Sequence, residues 1–269
     1  MKGIAARPRL AVAVFVAWTV AAITVASAQT PQTSYEPEIG QGGKDVVWVP
    51  TPPALVEKML DLAQVTRDDL VMDLGSGDGR NIIAAARRGA RAIGVEYNPD
   101  MVALATRLAQ EAGVADRATF VEGDMFTADI SKATVMALFL LPDNLERLRP
   151  TFLGLAPGTR LVMNTFGIPE WAHDAKEDLG EGCGSWCTAL LYYVPARIAG
   201  QWTTTRGELT LRQEFQVVAG TLTTGGQVTA VSGRLRGRDL TLTVNGDTLG
   251  GTVDGDRIDG PLTATRRAP

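Results

Sequence analysis

Apolar residues recur along the chain in two different patterns, which change near Pro195. Before that point, short apolar runs alternate with stretches whose apolar residues lie three and four positions apart, which predicts buried strands alternating with amphipathic helices. The predicted strands are 70–72, 92–95, 119–121, 133–141 and 160–166, and the predicted helices are 55–63, 81–88, 99–112 and 143–155. We therefore expect an α/β fold with a Rossmann-like, mainly parallel sheet and helices on both faces.

After residue 195 the apolar and polar positions alternate, which is typical of strands with one buried face. The alternating apolar residues are Trp202, Leu209, Leu211, Phe215, Val217, Leu240, Leu242 and Val244. The pairs Gly225-Gly226, Asn245-Gly246 and Asp254-Gly255 lie between such runs and are strong hairpin signals. This part is predicted to form a small antiparallel β-rich domain, a meander arranged as a sheet or a barrel.

The first 28 residues differ from the rest of the chain. Lys2, Arg7 and Arg9 precede an uncharged stretch, rich in Ala and Val, that ends in Ala26-Ser27-Ala28. This pattern predicts a secretory signal peptide cleaved after Ala28; the alternative is an uncleaved anchor, because the stretch is long for a signal core. In both cases the remainder is expected to be exported, periplasmic or otherwise extracytoplasmic, with membrane contact only through an uncleaved leader.

The segment after the leader, residues 29–44, is polar and rich in Pro and Gly, which predicts a linker or a mobile arm. The predicted organisation is a leader (1–28), this linker (29–44), an α/β domain (45–195) and a β-rich domain (196–269).

Composition narrows the classes of function. The 269 residues carry 26 Lys and Arg against 30 Asp and Glu, a net charge of −4 that becomes −7 without the three basic residues of the leader. We expect no nucleic-acid partner, because duplex binding needs Lys and Arg to neutralise phosphates. One His and two Cys are too few for a tetrahedral zinc site, so no metal is expected. Cys183 and Cys187 form either a disulfide, in an oxidising compartment, or two free buried thiols.

Candidate chemistry is concentrated in the segment Asp73-Leu74-Gly75-Ser76-Gly77-Asp78-Gly79-Arg80, between the first strand and the first helix of the alternating pattern. Glycines let such a turn approach a ligand closely, and the helix N-terminus presents free N–H groups, although a turn of this kind can also be purely structural. Asp73, Glu96 and Asp124 follow or end three successive strands, whose carboxyl ends form the ligand-binding edge of a parallel sheet. The pattern therefore predicts a nucleoside site, with Glu96 suited to ribose hydroxyls.

Two common nucleotide motifs do not fit this turn. The dinucleotide motif G-x-G-x-x-G would need a glycine where Arg80 stands, and a phosphate-binding P-loop would end in Gly-Lys-Ser or Gly-Lys-Thr. The acid followed by G-x-G-x-G instead resembles the first motif of the class I, seven-stranded S-adenosylmethionine-dependent methyltransferases.

Further motifs narrow this resemblance over residues 45–195. They are VPTPP at 49–53, the turn segment itself, EYNP at 96–99, LPDNL at 141–145 and FGIPEW at 166–171. Together they resemble the subfamily that contains mitochondrial inner-membrane protein-lysine methyltransferases and their bacterial exported relatives. The β-rich tail is not part of the mitochondrial pattern.

The resemblance implies S-adenosylmethionine as cofactor and methyl transfer to an unidentified acceptor, with a protein lysine as the candidate. It places Asp73 beneath the methionine amine, Glu96 at the ribose hydroxyls, and Asp124 with Met125 at the adenine. The remaining cofactor-binding candidates are the turn residues Gly75, Ser76, Gly77, Asp78 and Gly79. The candidates on the acceptor side are Phe139, Leu140, Pro142 and Asn144. No general base is evident, so positioning would supply most of the acceleration.

Other interpretations stay open at this stage. An exported, non-catalytic binding module could retain the same fold, and a nicotinamide-dependent oxidoreductase is a weaker alternative. His173 is expected in a surface loop. Trp171, Trp186, Tyr192 and Tyr193 either line an acceptor cleft or pack inside the fold, and the run from Arg234 to Arg238 is either an anion-attracting surface or a solvated turn.

Overall fold

The computed structural model describes Gly3, residues 35–180 and residues 183–267. The predicted leader and its cleavage site lie outside the described residues, Gly3 excepted. The described residues from Tyr35 onward belong to one compact unit. Of the helices in the described part, none combines the length and the apolar character needed to cross a membrane.

Seven strands form the first sheet. They are β1 (Leu70–Leu74), β2 (Arg91–Glu96), β3 (Ala118–Glu122), β4 (Val135–Leu138), β5 (Arg160–Asn164), β6 (Ala175–Asp178) and β7 (Thr188–Tyr193). Their spatial order is β3-β2-β1-β4-β5-β7-β6. Neighbouring strands among β1 to β5 pair in parallel, whereas β7 runs antiparallel to both β5 and β6. The predicted Rossmann-like, mainly parallel sheet is confirmed.

Helices cover both faces of this sheet. They are α1 (Pro53–Leu62), α2 (Arg80–Arg87), α3 (Pro99–Glu111) and α4 (Pro142–Phe152). Proline opens three of the four, where its fixed φ suits the first helical position and its missing N–H costs nothing. Consecutive residues of β1 point to opposite faces: Val71 packs under α1 and α2, whereas Met72 packs with α4. Each face thus has its own apolar core.

Eight further strands close into an antiparallel barrel. They are β8 (Gly200–Thr204), β9 (Gly207–Glu214), β10 (Val217–Thr224), β11 (Gln227–Arg236), β12 (Asp239–Val244), β13 (Asp247–Asp254), β14 (Arg257–Asp259) and β15 (Ala264–Arg266). Successive strands pair as a meander, and pairing of β15 with β8 closes the ring. Closure removes the exposed strand edges that an open sheet would leave. Trp202 and Leu235 are fully buried inside the barrel.

The predicted hairpin turns are present, but the strand register differs from the sequence pattern at one point. Asn245 and Gly246 both have positive φ (53° and 88°), as a tight hairpin turn requires. Phe215, predicted on a strand, lies in the turn between β9 and β10, and Val217 is 51% exposed. Val218 is the buried residue instead, so the inward alternation restarts one position later after the turn.

The barrel packs against the α/β domain through aromatic and charged contacts. Phe215 stacks on Trp171, with ring centroids 5.6 Å apart and planes 7° from parallel. Arg234 pairs with the largely buried Asp174 at 2.8 Å, and the Arg236 guanidinium donates to the Tyr193 hydroxyl at 2.8 Å. Arg234 and Arg236 therefore contact the α/β domain, whereas Arg238 pairs with Asp254 within the barrel.

The sequence left open whether the two cysteines form a disulfide or remain free thiols. Cys183 and Cys187 are joined by a disulfide, which confirms the first of the two alternatives. It closes a short loop that leads directly into β7.

Candidate functional site

The glycine-rich turn leaves the end of β1 and is tied to the end of β2. Gly75, Gly77 and Gly79 have φ values of 71°, 55° and 80°, a region that residues with a Cβ rarely adopt. The Gly75 and Ser76 amides both donate to the Val95 carbonyl oxygen, at 2.8 and 3.0 Å. The turn therefore has a fixed shape at the carboxyl edge of the sheet.

Asp73 lies beneath this turn with its carboxylate only half satisfied. Asn81 donates from Nδ2 to Asp73 Oδ2 at 2.9 Å. Asp73 Oδ1 and Ser76 Oγ are buried and have no hydrogen-bond partner among the described residues. Burial raises the pKa of Asp73 well above its usual value, and the negative charge of Glu96 raises it further. The pocket thus contains acceptor oxygens that suit a ligand with N–H donors.

Glu96 braces the turn against the start of α3. Its Oε2 accepts from the Gly77 amide and its Oε1 accepts from the Asn98 amide, both at 2.9 Å. Asn98 in turn caps α3, because its side chain accepts from the Asp100 amide at 2.9 Å. Glu96 lines the same pocket as Asp73, so its carboxylate supports the turn as well as facing the cavity.

The arm before α1 forms one wall of the pocket. The Gly40 amide donates to the Trp48 carbonyl oxygen at 2.8 Å, and the Trp48 amide donates to the Gln41 carbonyl oxygen at 2.9 Å. Trp48 lies so close to the turn that a Cβ on Gly77 would be 2.7 Å from the indole nitrogen. Residues 29–44 were predicted as a linker or a mobile arm; of these, Gly40, Gln41 and Gly43 form backbone hydrogen bonds with residues 38–48, which ties this segment to the wall of the pocket.

Lys44 links this arm to the third acidic residue of the sheet edge. Its Nζ lies 2.5 Å from Asp124 Oδ2 and 5.0 Å from the centre of the Tyr97 ring. The hydrogen bond from Lys44 lowers the pKa of the Asp124 carboxyl. Sequence reasoning missed Lys44, because no local pattern connects residues that are 80 positions apart. Met125 lines the same small cavity as Asp124.

Gly79 and Asp78, which the resemblance placed among the cofactor-binding residues, make other contacts in the structure. A Cβ on Gly79 would lie 2.5 Å from the Phe120 ring and 2.9 Å from Ala105, so this glycine allows close packing of α3 and β3 and is absent from the pocket lining. Asp78 lines the pocket but pairs with Arg80 at 2.5 Å. Arg80 also donates to the Thr51 carbonyl oxygen at 2.6 Å.

The acceptor-side candidates separate into different environments. Phe139 is half-buried and lines the pocket. Leu140 is buried in the core, and Pro142 opens α4 at the surface. Asn144 is buried and its Nδ2 lies 3.3 Å from the Asp45 carbonyl oxygen, which tethers the arm. Of the four, Phe139 is the one that lines the pocket.

His173 is exposed in a loop, as predicted. Over residues 35–180 and 183–267, no group of three or more His, Cys, Asp and Glu side chains is arranged to hold a metal ion.

Known proteins share this turn and its surroundings. A family model described as "ANTKMT methyltransferase domain" matches residues 73–175. The chain is also 45% identical over 129 residues to a "Protein-lysine N-methyltransferase" of Saccharolobus islandicus, covering 47% of this chain and 80% of that protein. The chain belongs to the ANTKMT methyltransferase family. It is an S-adenosylmethionine-dependent methyltransferase, so the family resolves the open alternatives in favour of an enzyme.

Two further relatives differ from the first, either in how much of their length this chain matches or in the acceptor that their name gives. The mouse "Adenine nucleotide translocase lysine N-methyltransferase" is 35% identical over 129 residues, which are 47% of this chain and 55% of that protein. The crystal structure of an "RNA methyltransferase" from Salinibacter ruber with S-adenosyl-L-homocysteine is 49% identical. It covers 56% of this chain and 96% of that chain, with a TM-score of 0.52.

The pocket of this methyltransferase fits its cofactor. S-Adenosylmethionine carries an α-ammonium group, and the two unpaired buried oxygens, Asp73 Oδ1 and Ser76 Oγ, are acceptors in the pocket lined by the turn. An unpaired buried acceptor costs stability until a donor reaches it.

The barrel, residues 200–267, lies beyond the matched family model.

Proposed function

We propose that this methyltransferase methylates the ε-amine of a lysine in a protein, and that it does so outside the cytoplasm. The names of its Saccharolobus islandicus and mouse relatives support the acceptor, since both are lysine N-methyltransferases. The net charge of −4 also favours a protein over a polyanionic nucleic acid. The observation that carries the methyl-transfer part of the proposal is the pocket at the glycine turn, with an unpaired Asp73 oxygen beneath it.

The cofactor-binding roles are part of this proposal. Asp73 and Ser76 would hold the ammonium group, with Gly75 and Gly77 giving the turn its shape. Glu96 would share its carboxylate between the ribose hydroxyls and the Gly77 amide. Asp124 and Met125 would flank the adenine, with Lys44 holding the arm beside them.

On the acceptor side, the protein has to present a neutral amine in the correct direction. The cofactor supplies an electrophilic methyl group when it is bound. Phe139 borders the pocket with an apolar ring, and an apolar surrounding lowers the pKa of a lysine because it disfavours the charged form. The protein then has to align the neutral amine with the methyl group. Such positioning can lower the activation barrier by up to about 7–11 kcal/mol.

Export is supported by two independent features. The leader has a basic start, an apolar middle and a small-residue end. The disulfide between Cys183 and Cys187 is the kind of bond that persists in oxidising compartments. Fractionation of cells with N-terminal sequencing of the product tests this part: a chain that begins at Gln29 in the extracytoplasmic fraction is expected, and an intact leader in the cytosol would contradict it.

The activity is tested with S-adenosylmethionine carrying a radiolabelled methyl group. The full chain is incubated with an envelope-protein extract or with total RNA, and labelled protein is hydrolysed to amino acids. We expect label in methyllysine. Label in RNA alone, or in an amino acid other than lysine, would overturn the proposed acceptor. The Asp73→Asn variant serves as the control, because it keeps the shape of the side chain while removing the charge.

A further inference from the structure

Three aromatic side chains meet at the carboxyl edge of the α/β sheet, beside the pocket. Phe139 follows β4, Phe166 follows β5, and Trp186 lies in the disulfide loop before β7. They share this edge because β7 runs antiparallel to β5, with Ala189 paired to Asn164. The start of β7 therefore lies beside the end of β5.

The three rings form an open cluster. The Phe139 and Phe166 centroids are 6.1 Å apart with planes 20° from parallel. Trp186 lies across both, at 5.7 Å from Phe139 and 5.3 Å from Phe166, with its plane tilted by 56° and 54°. Trp186 is 37% exposed, while Phe139 lines the cofactor pocket. The cluster thus connects solvent to the pocket.

Packing alone does not account for Trp186. Trp171 and Tyr192, the other aromatic residues considered for an acceptor cleft, are buried and pack edge-to-face at 5.6 Å. Trp186 instead keeps an exposed ring on a backbone with φ of 62°. A bulky residue adopts this conformation rarely, and it persists where the surrounding structure enforces it, often at a functional site.

The loop that carries Trp186 is fixed at both ends. The disulfide joins Cys183 to Cys187, on the two sides of the tryptophan. The Leu179 amide donates to the Cys187 carbonyl oxygen at 2.9 Å, and the Thr165 amide donates to the Thr188 carbonyl oxygen at 2.7 Å. The second bond connects the loop directly to the segment that holds Phe166.

We infer that Trp186 is an acceptor-binding residue, which together with Phe139 and Phe166 lines the path of the acceptor lysine, and that the Cys183–Cys187 disulfide positions it. This inference rests on the proposed function. The aliphatic stem of a lysine packs well on aromatic rings, and the rings exclude water from the amine.

Binding is tested first without turnover. The full chain is labelled with 5-fluorotryptophan, and the fluorine resonance of Trp186 is identified from the Trp186→Phe variant. Poly-L-lysine is then added in the presence of S-adenosylhomocysteine. We expect the Trp186 resonance to shift while that of Trp202, buried in the barrel, stays in place. A Trp186 resonance that does not move on saturating addition would overturn the inference.

Kinetics separate acceptor binding from cofactor binding. For Trp186→Ala we expect the KM for poly-L-lysine to rise about tenfold, as for truncation of an aromatic anchor. The Kd of S-adenosylhomocysteine should stay unchanged, and Trp186→Phe should recover most of the loss. An unchanged KM in Trp186→Ala would contradict the inference while leaving the proposed function intact. Failure of the wild type to methylate any lysine would instead reject the proposed function.

The positioning role of the disulfide is tested by a double-mutant cycle. Replacement of both cysteines by serine should raise the KM for poly-L-lysine in the wild-type background, and it should add little in the Trp186→Ala background. Equal effects in both backgrounds would show that the disulfide acts independently of Trp186. Val228→Ala, at an exposed barrel position, is the matched surface control and should change neither constant.

Discussion

The α/β domain and the barrel differ in how completely their buried polar side chains are paired. Among residues 35–180 and 183–267, six buried side-chain N or O atoms have no hydrogen-bond partner, and none belongs to the barrel. The six are Asp73 Oδ1, Ser76 Oγ, Asn81 Oδ1, Asn164 Oδ1, Thr165 Oγ1 and Trp171 Nε1. In the barrel, by contrast, the buried Trp202 indole donates to the Ile198 carbonyl oxygen at 2.8 Å.

The location of the unpaired atoms indicates why they are kept. Asp73, Ser76 and Asn81 line the pocket, and Asn164 and Thr165 lie where β5 ends. An unpaired buried polar group costs about 1–3 kcal/mol, so a domain without a ligand to bind would gain stability by replacing them. The unpaired polar atoms therefore lower the stability of the sheet edge beside the pocket. The barrel has no such atoms among its described residues.

The largest effect on cofactor affinity is expected for Asp73→Asn. Loss of a charged hydrogen bond should weaken S-adenosylhomocysteine by about tenfold to a hundredfold, measured by calorimetry. The ligand-free variant should melt at a higher temperature than the wild type at a pH above the raised pKa of Asp73, because it no longer buries a charge.

The pH dependence of this difference has a definite sign. Burial raises the pKa of Asp73, so the folded protein binds a proton there more readily than the unfolded chain. The cost of the buried charge is fully present above the raised pKa and decreases as the pH falls from there towards the ordinary pKa of an unfolded Asp. The melting advantage of the variant should therefore shrink at acidic pH. An advantage that grows as the pH falls would contradict this account.

Glu96→Ala should weaken S-adenosylhomocysteine by about tenfold, since it removes a carboxylate that faces the cavity. It also removes the acceptor of the Gly77 and Asn98 amides, so the melting temperature should fall, in contrast to Asp73→Asn. Calorimetry and thermal melts of the two variants together check this. An unchanged affinity would remove Glu96 from the site.

A smaller effect is expected at the arm. Lys44→Met removes the contact with Asp124 and should weaken S-adenosylhomocysteine by about threefold at low salt, with a smaller difference at high salt, because exposed ion pairs are screened. Lys132→Met is the matched control, because Lys132 is exposed and absent from the pocket lining. A difference independent of salt would exclude the ion pair as the cause.

The smallest effect on affinity is expected in the barrel contact. Phe215→Ala removes the ring stacked on Trp171 and should lower the free energy of unfolding by about 2 kcal/mol. The Kd for S-adenosylhomocysteine should stay within about twofold of the wild type. Val217→Ala, at an exposed neighbouring position, is the control for stability. A tenfold loss of affinity in Phe215→Ala would show that the barrel contributes to the site.

Much of the α/β fold was predictable, because its signals are local. Apolar runs mark β1, β2 and β5, and proline marks the starts of α1, α3 and α4. β6 was not predicted, because its residues Ala175–Asp178 are largely exposed and polar. Closure of the barrel was not decided either, since it depends on pairing between Thr203 and Thr265, which are far apart in the chain.

The site residues, too, could be predicted from the sequence only where they belong to a local motif. The glycine turn and the acids at the strand ends form a local motif, so the sequence could predict that Asp73, Glu96 and Asp124 lie along one edge of the sheet. The arm was missed, because its role depends on Trp48 packing against Gly77 and on Lys44 reaching Asp124. Gly79 was placed in the pocket by the motif, whereas in the structure it faces the Phe120 ring, and both this close contact and its φ of 80° favour a glycine.

Hydrogen–deuterium exchange of the full chain, with and without S-adenosylhomocysteine, tests the contrast between the two domains most directly. We predict slower exchange on ligand binding in peptides covering residues 41–51 and 73–81, and unchanged exchange in the barrel strands from β8 to β15. Slower exchange confined to the barrel, or no change in the glycine turn at saturating ligand, would contradict the assignment of the cofactor site to the sheet edge.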